Sequence, residues 1–286
     1  MPCGAPTPTV TNVIQKFTFA TDANATDVGD LTQARSGVAG TSSSVSGYSS
    51  GAGPSVTNTI DKFPFATDGN ATDVGDLTLA RWKPAGQSST ESGYTSGGRT
   101  APSGAGLNTI DKFPFAADAN AADVGDLTLG RYGSDNGQSS EVSGYTSGGM
   151  PAPVVSITID KFPFAADANA TDVGDLTVGR YNTTGQNSLV SGYSSGGGAP
   201  ANINVIDKFP FATDTNATDV GDLTQGAWRK SGQSSNASGY SSGGLHPTIS
   251  GIRSNVIDKF SFAADANATD VGDLTQLSAD AAGQQV

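Results

Sequence analysis

The sequence predicts an all-β protein built by repetition, and three observations carry that prediction. The segment Ile60-Asp61-Lys62-Phe63-Pro64-Phe65-Ala66 returns in close variants beginning at Ile14, Ile110, Ile159, Ile206 and Ile257, at spacings of 46 to 51 residues. Helical periodicity is absent, and short apolar groups are separated by Gly, Ser, Thr and Asn. Apolar residues make up only 35% of the chain, yet Phe, Ile, Val, Leu and Tyr recur at fixed places, as disorder would not require. A unit of this length cannot bury its own apolar face, so the units must cover one another.

Each element of the unit has its own justification. In Ile60–Phe65 the two phenylalanines fall on one face and Ile60 on the other, so both faces of this strand need cover. Stacked propeller blades supply that cover. Pro64, with Pro114, Pro163 and Pro210, belongs at a strand end or on an edge strand, because proline donates no ladder bond. Residues 68–70 read as a turn of short polar side chains. The Val-Gly-Asp-Leu-Thr run that follows reads as a second strand, and residues 87–92 and 93–96 supply two more. Four strands in about 48 residues, six times over, predict a six-bladed β-propeller in one domain spanning 1–286. A β-solenoid is the architectural alternative.

The unit resembles a kelch repeat in circularly shifted order. Leu77-Thr78-Leu79-Ala80-Arg81 is similar to the arginine-terminated stretch that opens a kelch blade, and Gly93-Tyr94-Thr95-Ser96-Gly97-Gly98 to its aromatic-then-diglycine strand. Arg131 with Tyr145, Gly148 and Gly149, and Arg180 with Tyr193, Gly196 and Gly197, repeat the pattern. The resemblance points to kelch-like repeat proteins of bacteria and of phage structural modules. There are departures. The usual kelch tryptophan is missing from most copies, Ala227 stands in the fifth arginine slot with Arg229 displaced, and Leu277 is read into the sixth.

The halves of the unit are unequal in number. Six Ile-x-Lys-Phe halves face five Ser-Gly-Tyr halves, at Tyr48, Tyr94, Tyr145, Tyr193 and Tyr240. Closure within the chain is expected, residues 1–13 and the C-terminal tail together completing the last blade, because closure removes an open edge. A neighbouring subunit completing that edge is the alternative.

The formal charge of −12 follows from the architecture. All acidic residues except Asp135, Asp280, Glu91 and Glu141 occupy repeated slots. No cluster of Lys and Arg is present to bind a phosphate backbone, so neither nucleic acid nor insertion into a membrane is expected. Cys3 is the single cysteine and permits no intrachain disulfide. Residues 1–6 lack the basic and apolar regions of a signal peptide. The resemblance to phage structural modules implies a virion or an extracellular surface, reached without a signal, as the expected location, with the cytoplasm as the alternative.

Catalysis has few candidate groups. His246 is the only histidine and lies in a Leu-His-Pro linker with no nucleophile beside it. The paired carboxylates recur in near-equal copies, whereas a glycosidase needs two in unlike surroundings; Glu91 and Glu141 are the singletons. Asp22, Asn24, Asp27 and Asp30, with their repeat equivalents, place oxygen ligands at a spacing that suits calcium, while a hydrogen-bonded Asx turn explains the same residues. Arg81, Arg131 and Arg180 are expected to pair with repeated aspartates. No catalytic residue and no cofactor is assigned. The expected function is that of a non-catalytic structural or adhesion module, and the resemblance implies a virion component such as a capsid decoration or tail fibre. Its expected partners are virion or surface proteins, further copies of itself, or a surface glycan. An intracellular interaction scaffold and a glycan-binding or glycan-active protein are the alternatives.

Overall fold

Each Ile-Asp-Lys-Phe-Pro segment becomes the third strand of a four-stranded antiparallel sheet. The computed structural model describes residues 10–53, 55–134, 137–151, 153–199, 201–246 and 252–284. A pair, β1 (Val13–Lys16) and β2 (Thr26–Asp30), opens the chain. The first blade follows, with β3 (Ala39–Ser42), β4 (Ser46–Ala52), β5 (Thr57–Pro64) and β6 (Thr72–Asp76) side by side. The second holds β7 (Ala85–Ser88), β8 (Ser92–Ser96), β9 (Leu107–Pro114) and β10 (Ala122–Arg131). The third holds β11 (Gln138–Ser139), β12 (Ser143–Ser147), β13 (Thr158–Pro163) and β14 (Thr171–Asp175). The fourth comprises β15 (Thr184–Asn187), β16 (Ser191–Ser195), a small β17 (Gly198–Ala199) and β18 (Ala201–Asn202) hairpin, β19 (Val205–Pro210) and β20 (Thr218–Asp222). The fifth comprises β21 (Ser231–Ser234), β22 (Ser238–Ser242), a short β23 (Leu245–His246), β24 (Ile252–Ser261) and β25 (Thr269–Ser278).

The fold is thus a β-propeller, as expected, but of five blades and not six. The correction has a topological cause. A blade joins the Ser-Gly-Tyr half of one sequence unit to the Ile-Asp-Lys-Phe half of the next, so five tyrosine halves make five blades. The first Ile half is left as the β1–β2 pair, and no sixth four-stranded sheet forms among the described residues. The predicted joint completion by the chain ends is therefore not seen; residues 1–9 lie outside the described residues. A solenoid is excluded by the ring of contacts that follows.

Blades pack through one repeated core. Tyr48, Ile60 and Leu77 of the first blade lie against Phe113 of the second, and the same set recurs around the ring. Ile60, Ile110, Ile159, Ile206 and Ile257 are fully buried. Both faces of the third strand are covered, as its pattern required. Pro64 ends its strand opposite Ser46, where its missing N–H does least harm.

The arginines do what their repetition suggested. Arg81 pairs with Asp111, Arg131 with Asp160 and Arg180 with Asp207, and Arg35 pairs with Asp61; all eight side chains are buried. Each carboxylate also accepts from a threonine one turn of the repeat away: Asp111 takes Thr78 N–H at 2.8 Å and its hydroxyl at 2.7 Å. In the fifth blade Ala227 occupies the arginine slot, and Lys230 reaches Asp258 instead, at 3.1 Å. The sixth slot is held by Ser278, not Leu277. Ser278 is buried and its carbonyl accepts from Gly244 N–H, as Arg131 accepts from Gly98, whereas Leu277 is 56% exposed.

Two features close the ring. On the outer rim, lysines bridge to the next unit's aspartate from Lys16–Asp68 round to Lys259–Asp22. At the axis, backbone N–H groups of Gly37, Lys83, Gly133, Asn182, Arg229 and Asp280 each donate to the carbonyl of the neighbour before it, at 2.5 to 3.2 Å, and Gly37 donates to Asp280. All six have positive φ between 52° and 73°. Four of them are not glycine, a strained choice that the closed hydrogen-bond ring holds in place. Innermost glycines let the blades meet: a Cβ on Gly86 would overlap the Gly40 carbonyl, and one on Gly283 the Gly232 carbonyl.

Candidate binding surfaces

The first strand of each blade runs along the axis from this backbone ring to a turn at the opposite end, so each face collects one set of equivalent residues. The turn tips carry Ser44-Val45, Thr90-Glu91, Glu141-Val142, Leu189-Val190 and Asn236-Ala237. They surround the channel mouth, a cavity of about 320 Å³ lined by serine and threonine hydroxyls and by Gly40, Gly86 and Gly232. Val45, Val142, Leu189 and Val190 are 66–74% exposed there. Below each tip the turn is fixed by a serine, as Ser89 Oγ accepts Ser92 N–H at 2.9 Å.

The other face carries aromatics at one repeated position, directly after the arginine slot. Trp82, Tyr132, Tyr181 and Trp228 are half-buried. Arg99 lies between two of them, its guanidinium carbon 4.5 Å from the Trp82 ring centre and 4.1 Å from that of Tyr132. Tyr181 meets Trp228 edge-on at 5.8 Å, and Arg229 stacks on Trp228. Beneath, Lys83 donates to Asn182 Oδ1 at 2.6 Å and bridges to Asp280 at 3.2 Å, which also takes Arg229. Sequence reasoning missed this belt. Its signal was available: four of the six residues after the arginine slot are aromatic.

The calcium candidates stand apart in other roles. Asp22 binds Lys259 at 2.8 Å; Asn24 Oδ1 accepts Asp273 N–H at 3.0 Å; Asp27 Oδ1 accepts Gly29 N–H at 3.2 Å, an Asx turn; and Asp30 N–H donates to Asn70. Among the described residues no group of three or more His, Cys, Asp or Glu side chains is placed to hold a metal. Glu91 and Glu141 sit on turn tips of different blades rather than on a strand surface. His246 lies in β23 rather than a free linker; burial and the nearby Lys230 push its imidazole below the usual value. Cys3 lies outside the described residues.

A third feature is a cleft of about 390 Å³ between the fifth and first blades. Its walls are β1, the tail before Gln284, and the phenylalanines of the first blade.

No helix of the described residues is long and apolar enough to cross a membrane. No family model matches the chain, and no curated protein matches it in sequence.

Proposed function

We propose that this propeller is a non-catalytic structural module, kelch-like in its repeat, that docks to other proteins of a virion or a surface through its two loop-bearing faces. The observation that carries this reading is the distribution of difference within the repeat. Arg, Asp, Tyr, Phe and Gly recur wherever they hold blades together, while the turn tips and the residue after the arginine slot change from blade to blade. Four exposed aliphatic side chains ring one face. Apolar residues clustered on a rigid rim favour contact with another protein. The kelch assignment is supported by the bond from Arg81 Nη1 to Gly97 O at 3.3 Å, which joins the two motifs on which the resemblance rests.

A glycan-binding reading is favoured by a separate observation, the half-buried aromatic belt of Trp82, Tyr132, Tyr181 and Trp228. Flat aromatic faces with polar edges suit sugar rings.

Mass spectrometry of purified particles tests the first reading: the chain is expected in stoichiometric amount, and its recovery only as a free cytosolic monomer overturns it. A variant with Val142 and Leu189 changed to Ser should stay folded and lose incorporation. Retained incorporation, with binding to a glycan array abolished by Trp82→Ala, selects the second reading.

A further inference from the structure

The cleft between the fifth and first blades has the shape of one strand. In every blade the second strand brings a Ser-Gly-Tyr segment whose tyrosine stacks on the second phenylalanine of the next sheet round the ring. Ring centres are 4.8 to 4.9 Å apart in all five cases, from Tyr48–Phe115 to Tyr240–Phe19. The sixth pair, Phe63 and Phe65, touch each other and no tyrosine. Phe63 and Phe65 line the cleft.

A buried amide gives the same answer independently. Gln87, Gln138, Gln186 and Gln284 each donate from Nε2 to the carbonyl of a second-strand tyrosine, at 2.8 to 3.0 Å. Gln233 is their equivalent and borders the cleft. It is only 8% exposed, and among the described residues its Nε2 reaches nothing but Ser242 Oγ, at 3.4 Å. The acceptor it lacks is a tyrosine carbonyl in the cleft.

The backbone agrees. Among the described residues strand β1 is paired on one side only, with β2, and the tail 281–284 is paired with no strand. Two unpaired edges thus flank one gap, the arrangement that an added strand satisfies. Ile14 is half-buried, whereas its five equivalents are fully buried. The charges have been withdrawn as well. The arginine slot here holds Ser278, and the aspartate slot holds Gln15, whose Oε1 accepts Thr275 N–H at 2.7 Å. In complete blades the guanidinium also needs second-strand carbonyls, such as Ser194 O at 3.0 Å from Arg180. Neutral residues let the gap stand open at less cost.

We propose that this cleft binds an extended strand of the form Ser-Gly-Tyr-(Ser/Thr)-Ser supplied by another polypeptide. Its tyrosine would lie on Phe65, its glycine on the ring of Phe17, and its tyrosine carbonyl on Gln233. Residues 1–9 do not suit the place. They hold no Ser-Gly-Tyr segment, and Pro2, Pro6 and Pro8 donate no ladder bonds. A second copy is a poor donor, because all five of its such strands are committed to its own blades. This inference stands on the cleft alone and holds whether or not the protein belongs to a virion.

The test uses the full chain and a synthetic peptide of residues 234–244. Saturable one-to-one binding by calorimetry is expected, with a thermal midpoint that rises with peptide concentration. Peptides carrying Tyr240→Ala or Gly239→Val should bind at least about tenfold more weakly, the second because a Cβ there overlaps a phenylalanine ring. Phe65→Ala in the protein should weaken binding similarly, while Phe115→Ala, at a filled position, should not. No binding, or equal binding of the Gly239→Val peptide, overturns the proposal. A chain that light scattering shows to be dimeric, and that the peptide converts to monomer, places a second copy in the cleft and overturns the assignment to a different partner.

Discussion

Breaking the Arg131–Asp160 pair should be costly, and removing both charges should cost less than the two single losses together. The Arg131 guanidinium and the Asp160 carboxylate are 1% and 0% exposed. Burial pushes the guanidinium below its ordinary value despite the opposing pull of Asp160, so desolvation outweighs attraction. A buried pair of this kind generally adds little net stability, but each half needs the other. Asp160→Gln leaves a buried cation with the carbonyls of Gly148, Thr158 and Leu129 and the Thr128 hydroxyl, and should cost about 3–5 kcal/mol. Arg131→Ser leaves Asp160 with the two Thr128 donors and strips those carbonyls of a partner, a loss of similar size, about 3–5 kcal/mol. The double variant Arg131→Ser with Asp160→Gln copies the Ser278 and Gln15 arrangement that the chain already tolerates. It should cost about 2 kcal/mol or more less than the sum of the single losses. Urea denaturation followed by circular dichroism at constant pH measures all three. A cost below about 1 kcal/mol for Asp160→Gln, or strict additivity in the double variant, refutes the reasoning.

Gly86→Ala should lower the thermal midpoint sharply by pressing on the Gly40 backbone, whereas Gly69→Ala, with open space at its Cβ, should change it little, by about 0.5 kcal/mol or less. Alkaline stability follows from two sets of groups. Hydrogen bonds donated to aspartates raise Lys62, Lys112, Lys161, Lys208 and Lys259 above 10.5, and burial raises Tyr48, Tyr94, Tyr145 and Tyr193 above 10.0. In both sets the folded chain holds its protons more tightly than the unfolded one. Their contribution is therefore complete below those ordinary values and is lost as pH rises through the folded ones. Urea midpoints should be flat to about pH 9.5 and fall above about pH 10, with tyrosinate absorbance appearing as the sheet signal disappears. The Lys62–Asp118 bridge is solvent-screened, so Lys62→Met should cost less than about 1 kcal/mol, and added salt should shrink that difference. Because Asn24 and Asp27 already accept backbone N–H groups, calcium should shift the thermal midpoint by less than about 1 °C.

Much of the construction was legible in the sequence, because the side chains that build it repeat. The third strand, its terminal proline, the turn after it and the arginine–aspartate pairing all follow from residue types that recur at one period. The axial ring was not legible. Its six positions hold Gly, Lys, Gly, Asn, Arg and Asp, and backbone geometry unites them while side-chain chemistry does not. The sixth arginine slot was misassigned by one residue for a related reason. With the guanidinium gone, only the backbone bond from Gly244 to Ser278 marks the place.

The number of blades was misjudged because length over period counts units, and a unit is not a blade. A blade needs a Ser-Gly-Tyr half from one unit and an Ile-Asp-Lys-Phe half from the next, so the scarcer half sets the number of blades. The surplus of the commoner half sets the number of strands left with an open edge. Five tyrosine halves and six isoleucine halves therefore require five blades and one unmatched pair, which is β1 with β2. The same count places the edge between the last blade and the first. The chain treats that place differently from all others, with Gln15 where aspartate recurs, Ser278 where arginine recurs, and Phe63 and Phe65 without a tyrosine. One withdrawn charge pair and one pair of phenylalanines without its tyrosine thus mark the faces of a single gap, the place that the proposed strand from outside the chain would fill.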